Sequence, residues 1–269
     1  MRNDDFEAVV REGECFHSLR IPDGSYGVVR VDGRSFTALT ARLGLAKPFD
    51  TSFHEMMVEA ASALLLMLRG VYAYTESDEI SVLLPRRTSL FNREVEKIVS
   101  LSAGRVSSVF SLKLGQLAEF DARVWVGKSP VDVFDYFRWR QADALRASLN
   151  GWAYWTLRQE GRGPGQAQSL LNNTSSSERE ELLAKRGICF SEVPAWQRKG
   201  VGLFFDCEER QALNPKTGEM NTKLRRVLRI DKDLLERDAY AMFLGELITA
   251  SESEDSLVTP QERCATGRP

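Results

Sequence analysis

The order of its elements constrains this chain more than any single motif. Between Gly27 and Val126, short runs rich in Val, Ile and Phe alternate with two long helical stripes. The first run, Gly27 to Val31, precedes a segment where Met56, Met57, Ala60, Ala61, Leu64, Leu65 and Leu68 recur at the three- and four-residue spacing of one helix face. Ser52, with Glu55 three residues on, reads as a capping box opening that helix. Two further strands, Val71 to Tyr74 and Ile80 to Leu84, lie close enough for a tight turn. A second stripe then runs through Phe91, Val95, Ile98, Val99, Ser102, Val106, Val109 and Phe110, ahead of a fourth strand, Phe120 to Val126. This is the βαββαβ order of a ferredoxin-like or polymerase-palm domain, an α/β chain of the α+β kind in which helices pack on one face of an antiparallel sheet.

Beyond it, Ser129-Pro130 followed by Asp132 starts another helix, and the helical layer runs to about Gln159. The GRGPG stretch at 161–165 reads as a loop, and NNTSSSERE as a polar turn into a short helix. Strands at Val201 to Phe205 and Leu224 to Ile230 flank Gln211 to Thr222, which suits a long hairpin. The expected organisation is a palm-like catalytic domain with its helical layer at 1–160, a helical and β-hairpin arm completing the fold at 161–249, and an acidic, mobile tail at 250–269.

Composition narrows the chemistry. With 269 residues and 43% hydrophobic content, the chain can bury a substantial core. No apolar run approaches the roughly 20 residues that cross a bilayer, and the first 20 residues start acidic and polar, so a soluble cytoplasmic protein with no membrane partner is expected. Four cysteines without a C-x-x-C pair, and only His17 and His54 as histidines, argue against a zinc site, a disulfide framework and a His-activated nucleophile. Carboxylates, backbone and bound ions are left to carry the reaction. Net charge is −2, but residues from Asp231 onward hold nine Asp/Glu against four Lys/Arg, which leaves residues 1–230 at about +3. Basic clusters at Arg86-Arg87, Arg198-Lys199 and Lys223 to Arg229 make a locally basic face possible.

Two acidic spots stand out: Asp32 at the end of the first strand, and Asp78-Glu79 in the turn between the second and third. In a βαββαβ sheet the first strand lies beside that hairpin, so Asp32 and Asp78 come near each other although 46 positions apart. Two carboxylates and a backbone carbonyl suit Mg²⁺, a hard cation with oxygen ligands. Gly33 lets the backbone bend and a triphosphate approach. Taken singly, an Asp-Gly is a turn and a Ser-Asp-Glu a solvated hairpin tip. Arg34 could reach the phosphate of a bound nucleotide or salt-bridge a neighbour, and Lys47 could be a phosphate ligand or a surface charge.

VVRVDGRSF, LAKPFD, YAYTESDEISVLL, FDARVWV, YFRWRQADA and RKGVGLFF, in this order and spacing, resemble the tRNA(His) guanylyltransferase family, including its Thg1-like branch, over roughly residues 5 to 210. The resemblance implies a reverse polymerase that adds nucleotides in the 3′ to 5′ direction to the 5′ end of tRNA. Asp32, the Gly33 carbonyl and Asp78 would then hold two Mg²⁺ ions, with Glu79 the adjacent essential acid. Ser77, Lys47 and Arg123 would contact the activating ATP or GTP, with Phe36 and Thr37 lining the triphosphate loop. Arg93 and Lys97 would meet the triphosphate of the incoming NTP. Read from the residues themselves, Arg140 and Gln141 are candidates for RNA contact beyond the core, in which Trp139, Trp152 and Trp155 pack, and the arm from Arg198 and Lys199 to Arg229 could touch RNA phosphate or equally another subunit. The family also implies a homotetramer.

One stretch departs from the family pattern. Members that read the tRNA(His) anticodon carry His-Ile-Asn-Asn-Leu-Tyr-Asn after the Trp-Arg-Gln-Ala-Asp block, whereas this chain has Leu145-Arg146-Ala147-Ser148-Leu149-Asn150-Gly151. This points to template-dependent repair of 5′-truncated tRNAs, with guanylylation of tRNA(His) possible but not exclusive. The alternatives are a palm-type nucleotide cyclase acting on NTPs without RNA, and a non-catalytic RNA-binding module.

Overall fold

The computed structural model describes residues 3–213 and 220–257. The predicted strands form as β1 (Tyr26–Gly33), β2 (Tyr72–Glu76), β3 (Glu79–Leu83) and β4 (Phe120–Gly127). Two longer ones follow, β5 (Val201–Leu213) and β6 (Met220–Asp231). All six join one antiparallel sheet in the order β4-β1-β3-β2-β5-β6. The first four strands of that order are the ferredoxin-like core. Because β5 pairs directly with β2, the expected arm extends the palm sheet and does not stand apart from it.

Helices cover both faces, where the sequence suggested one. α3 (Thr51–Met67) and α4 (Val95–Leu114) pack on one side, with Leu64, Leu65, Ile98 and Phe110 against Val29, Val31, Ile80 and Val82. α5 (Pro130–Gln159) and α9 (Arg237–Leu257) pack on the other, with Val133, Phe137 and Tyr240 against Val28, Tyr72, Tyr74 and Leu83. The reason lies in the strands: consecutive residues of β2 and β3 are buried, so neither side could be left to water.

Helix ends show where local signals mislead. α3 is capped by Asp50, whose carboxylate accepts from the Phe53 N–H at 3.0 Å. Ser52 only donates to Asp50, so the Ser52–Glu55 box does not form. Phe91 lies in a 3₁₀ turn at positive φ, ahead of α4. The Ser129–Asp132 capping box is present, and α5 runs unbroken for 30 residues. α6 (Pro164–Leu171) starts inside the expected GRGPG loop, and α7 (Ser176–Ala184) opens with a Ser175–Glu178 capping box. α9 carries helix to Leu257, past the point where a tail was expected. The remainder of the expected 250–269 tail lies outside the described residues, as does the hairpin tip at 214–219. Short helices α1 (Asn3–Arg11), α2 (Phe36–Arg42) and α8 (Ala195–Lys199) complete the chain.

Candidate active site

The ends of β1 and the β2–β3 hairpin meet at one edge of the sheet. β1 and β3 pair with Asp32 opposite Glu79, and the hairpin pairs Glu76 with Glu79, which leaves Ser77 and Asp78 as the turn. Ser77 takes the left-handed conformation at φ 48°. The Gly33 N–H donates to the Asp78 carbonyl at 3.1 Å, locking the end of β1 to the turn. A Cβ at Gly33 would come within 2.8 Å of Asp78 Oδ2 and 2.5 Å of the Phe36 ring, so only glycine leaves the cradle open. Burial, then the neighbouring Asp32 charge, push the Asp78 carboxyl above its usual range, against the pull of its own backbone N–H.

The pleat sets the partners. Arg30, Asp32, Glu76 and Glu79 share the face covered by α5. Glu79 is a hub there: Arg140 Nη1 donates to both of its oxygens, at 3.1 and 2.8 Å, and Arg30 Nε lies 3.4 Å away. Arg140 also donates to Asp143 at 3.0 Å, and Arg30 reaches Asp32 at 3.4 Å. Burial raises the Glu79 pKa while Arg140 and Arg30 oppose the rise. Glu76, which lacks such a partner close by, is pushed to about 8 by burial, with Glu79 and Asp143 adding to it.

Beside Asp78 opens a cleft of about 210 Å³, lined by Phe36, Thr37, Lys47, Phe53, Ser77 and Trp196 among others. Its floor is aromatic, since Phe36 packs against Phe53, Phe110 and Phe120. Lys47 donates to Thr40 Oγ1 at 2.9 Å, and burial lowers its pKa. His54 stacks on Trp196 at 4.2 Å, and burial lowers its pKa to about 4.

The structure therefore gathers Asp32, Gly33, Asp78, Glu79, Ser77, Lys47, Phe36 and Thr37 at one edge. The other expected residues sit elsewhere or are otherwise engaged. Arg34 is exposed and pairs with Glu119 at 2.9 Å, and Arg123, opposite Arg30, pairs with Asp121 at 2.8 Å. Arg93 is buried, with its guanidinium donating to the carbonyls of Ile21, Arg86 and Pro22, so it holds a loop and is not presented to a triphosphate. Lys97 is exposed beside Glu94. Arg140 and Gln141 are buried, not outward-facing, the Gln141 amide donating to the Leu235 carbonyl. The half-exposed member of that block is Trp139, onto which Arg140 stacks. Arg198 donates to the Val193 carbonyl, and Lys199 is held by Glu236 at 2.7 Å.

Sequence reasoning missed Arg30, Glu76 and Asp143. The signal for Arg30 was present: one guanidinium in the otherwise apolar run GVVRV. Among the described residues no group of three or more His, Cys, Asp or Glu side chains is arranged around a metal position.

Residues 7–136 match the family described as tRNA(His) guanylyltransferase, and residues 131–238 match its C-terminal domain family. The chain is 34% identical to the tRNA(His) guanylyltransferase of Debaryomyces hansenii over 68% of its own length and 74% of that protein. The crystal structure of the Saccharomyces cerevisiae enzyme superposes with a TM-score of 0.66 at 27% identity, covering 71% of this chain and 90% of that one. A bacterial Thg1-like protein solved with GTP gives 0.72 at 23% identity, covering 91% and 99%.

Proposed function

The chain belongs to the tRNA(His) guanylyltransferase family, nucleotidyltransferases that act on tRNA, and we propose that it adds nucleotides in the 3′ to 5′ direction to 5′-truncated tRNAs under template control. The observation that carries this reading is the Asp32–Gly33–Asp78 cradle, closed by the Gly33 N–H to Asp78 carbonyl bond. The block at Leu145 to Gly151 has no histidine, and position for position none of the asparagines of anticodon-reading members, Asn150 standing where those carry tyrosine, which favours repair over strict tRNA(His) recognition.

In this reading the 5′-monophosphate of the tRNA attacks the α-phosphorus of ATP or GTP, and pyrophosphate leaves. The 3′-hydroxyl of the incoming NTP then attacks the activated 5′ phosphate, and AMP or GMP leaves. The donor set of two carboxylates and a carbonyl fits Mg²⁺, and the glycine leaves room for it. Asp32, Asp78 and the Gly33 carbonyl would hold the two ions, which when bound would supply positive charge to neutralise phosphate and to favour the attacking oxygen. Lys47, Ser77 and Thr37 bind the triphosphate of the activating nucleotide in the cleft. Glu79 acts as a positioning residue: its carboxylate fixes Arg30, and Arg30 steadies Asp32. Preorganised charge and alignment supply most of the rate.

Assembly as a homotetramer is part of the proposal. The exposed Phe6, Val9 and Val10 of α1 offer a surface for subunit contact, and light scattering measures the mass. No helix among the described residues is long and apolar enough to cross a membrane.

The test is a tRNA transcript lacking its first nucleotide, incubated with Mg²⁺, ATP and each NTP in turn. Extension by the templated nucleotide alone is expected. Extension of no tRNA supplied would overturn the reading, and a cyclic product from NTP alone would favour a cyclase.

A further inference from the structure

At the end of the sheet away from the acids lies a second, larger groove of about 620 Å³. It is formed where α3 turns into β2, where the loop leaves β3, and where β5, β6 and α9 converge. Three arginines converge on it: Arg69, Arg87 and Arg226. All three are exposed. Among the described residues, the side chains of Arg69 and Arg87 make no ion pair or hydrogen bond, and Arg226 only stacks on the Phe205 ring at 4.1 Å. No Asp or Glu whose side chain is described lines the groove.

This is unusual within the molecule. Elsewhere among the described residues Arg34, Arg123, Arg140, Arg186 and Arg229 each sit against a carboxylate. Three uncompensated guanidiniums around one concavity repel each other, and an anion relieves that repulsion. The presentation of Arg87 is also built. The buried Arg93 donates to the carbonyl of Arg86, its chain neighbour, and to those of Ile21 and Pro22, which fastens the loop that carries Arg87. The rest of the lining includes Thr88 and Ser89, whose hydroxyls are further donors, and the apolar Phe91 and Phe205. Planar guanidiniums, hydroxyls and aromatic faces are the groups that meet phosphate, sugar and base.

We propose that this groove binds the phosphate backbone of the RNA substrate at a distance from its reacting 5′ end. The inference rests on the reading of the chain as an enzyme acting on tRNA. From Val71 at the groove to Glu76 at the acidic edge, β2 runs about 16 Å at roughly 3.3 Å per residue. A tRNA held by its 5′ phosphate at Asp32 and Asp78 extends well beyond that span. The groove therefore supplies affinity and register, while the cleft supplies chemistry. Its arginines differ from Arg140 and Lys199, which are held by carboxylates within the protein.

The experiment compares the full chain with the triple variant Arg69→Ala, Arg87→Ala, Arg226→Ala and with the triple Lys variant. Binding of 5′-monophosphorylated, 5′-truncated tRNA is measured across salt concentrations, alongside kcat and KM for extension, ATP affinity, melting temperature and mass by light scattering. The Ala variant should bind tRNA at least about tenfold more weakly at 0.1 M salt. Its slope of log K against log salt should shrink by about 2, since each phosphate left without a cationic partner removes roughly 0.7–0.9. KM for tRNA should rise, with kcat, ATP affinity and mass unchanged, and the Lys variant should recover most of the affinity. Unchanged tRNA affinity and salt slope would overturn the assignment. So would a changed mass with tRNA affinity per subunit intact, which would make the groove an interface between copies of the chain. If the wild-type chain neither binds nor extends any tRNA, the functional reading itself fails, and that result is distinct from failure of the groove alone.

Discussion

Arg140, in the middle of α5, holds Glu79 of β3 with a single nitrogen placed 3.1 and 2.8 Å from its two carboxylate oxygens. Both side chains are nearly buried, at 5% and 11% exposure. The pair fastens α5 to the strand that starts at the acidic edge, and through Arg30 it reaches Asp32.

Removing one partner should cost more than the pair contributes. Arg140→Ala leaves Glu79 charged and buried, and a loss of about 3–5 kcal/mol in urea unfolding is expected. The double variant Arg140→Met, Glu79→Leu should recover much of that stability but not the activity, because Arg30 and Asp32 lose their support.

Gly33→Ala should separate stability from catalysis. Its Cβ would overlap the Phe36 ring and the Asp78 carboxylate. A loss of about 1–3 kcal/mol is expected from the forced shift, with a fall in nucleotide addition of two orders of magnitude or more. A variant that adds nucleotides at the wild-type rate would show that the cradle has no part in the reaction.

Asp78→Asn should abolish transfer yet raise the melting temperature of the protein in EDTA. Burial and the Asp32 charge raise the Asp78 pKa, so ionising it opposes folding as pH climbs out of the usual carboxylate range. The amide removes that cost while keeping the shape. A lower melting temperature in EDTA at pH 8 would contradict this.

The pH dependence of the metal-free protein should carry two opposite limbs. Glu76 sits at about 8 in the fold, above its ordinary 4.5, so its contribution is fully present below pH 4.5 and is lost as pH rises to about 8. Glu76→Gln should therefore stabilise the protein at pH 8 and have little effect at pH 4.5. His54, lowered from 6.5 to about 4, acts in the other direction: the unfolded chain binds its proton first, so stability falls as pH drops from 6.5 to 4. His54→Gln should flatten that acid limb in thermal melts.

Period and order were readable because each depends on neighbours in sequence. Leu64 and Leu65 repeat with the helix, Val29 and Val31 lie in a buried strand, and the βαββαβ order alone placed Asp32 by the Asp78 turn. Orientation within a buried helix was not readable. Nothing local distinguishes Arg140 from Trp139. The guanidinium turned inward because Glu79 waits on the facing strand, a partner 61 residues away. The inward turn of Arg93 was unreadable for the same reason: its acceptors are the carbonyls of Ile21 and Pro22, more than 70 residues upstream. The cap at Asp50 was missed because Ser52 supplied an equally good local pattern.

The pairing of Asp32 with Glu79 across β1 and β3 has a bearing on how preparations of this protein should be judged. Slippage of β1 by one residue would turn Asp32 toward the aromatic side of the sheet and send Val31 to the arginines. Such a molecule would keep its helices and most of its strand content, and circular dichroism would barely distinguish it from the native one. Turnover per subunit would expose the difference at once, so fold and activity can come apart here, and specific activity is the sharper gauge of correct folding.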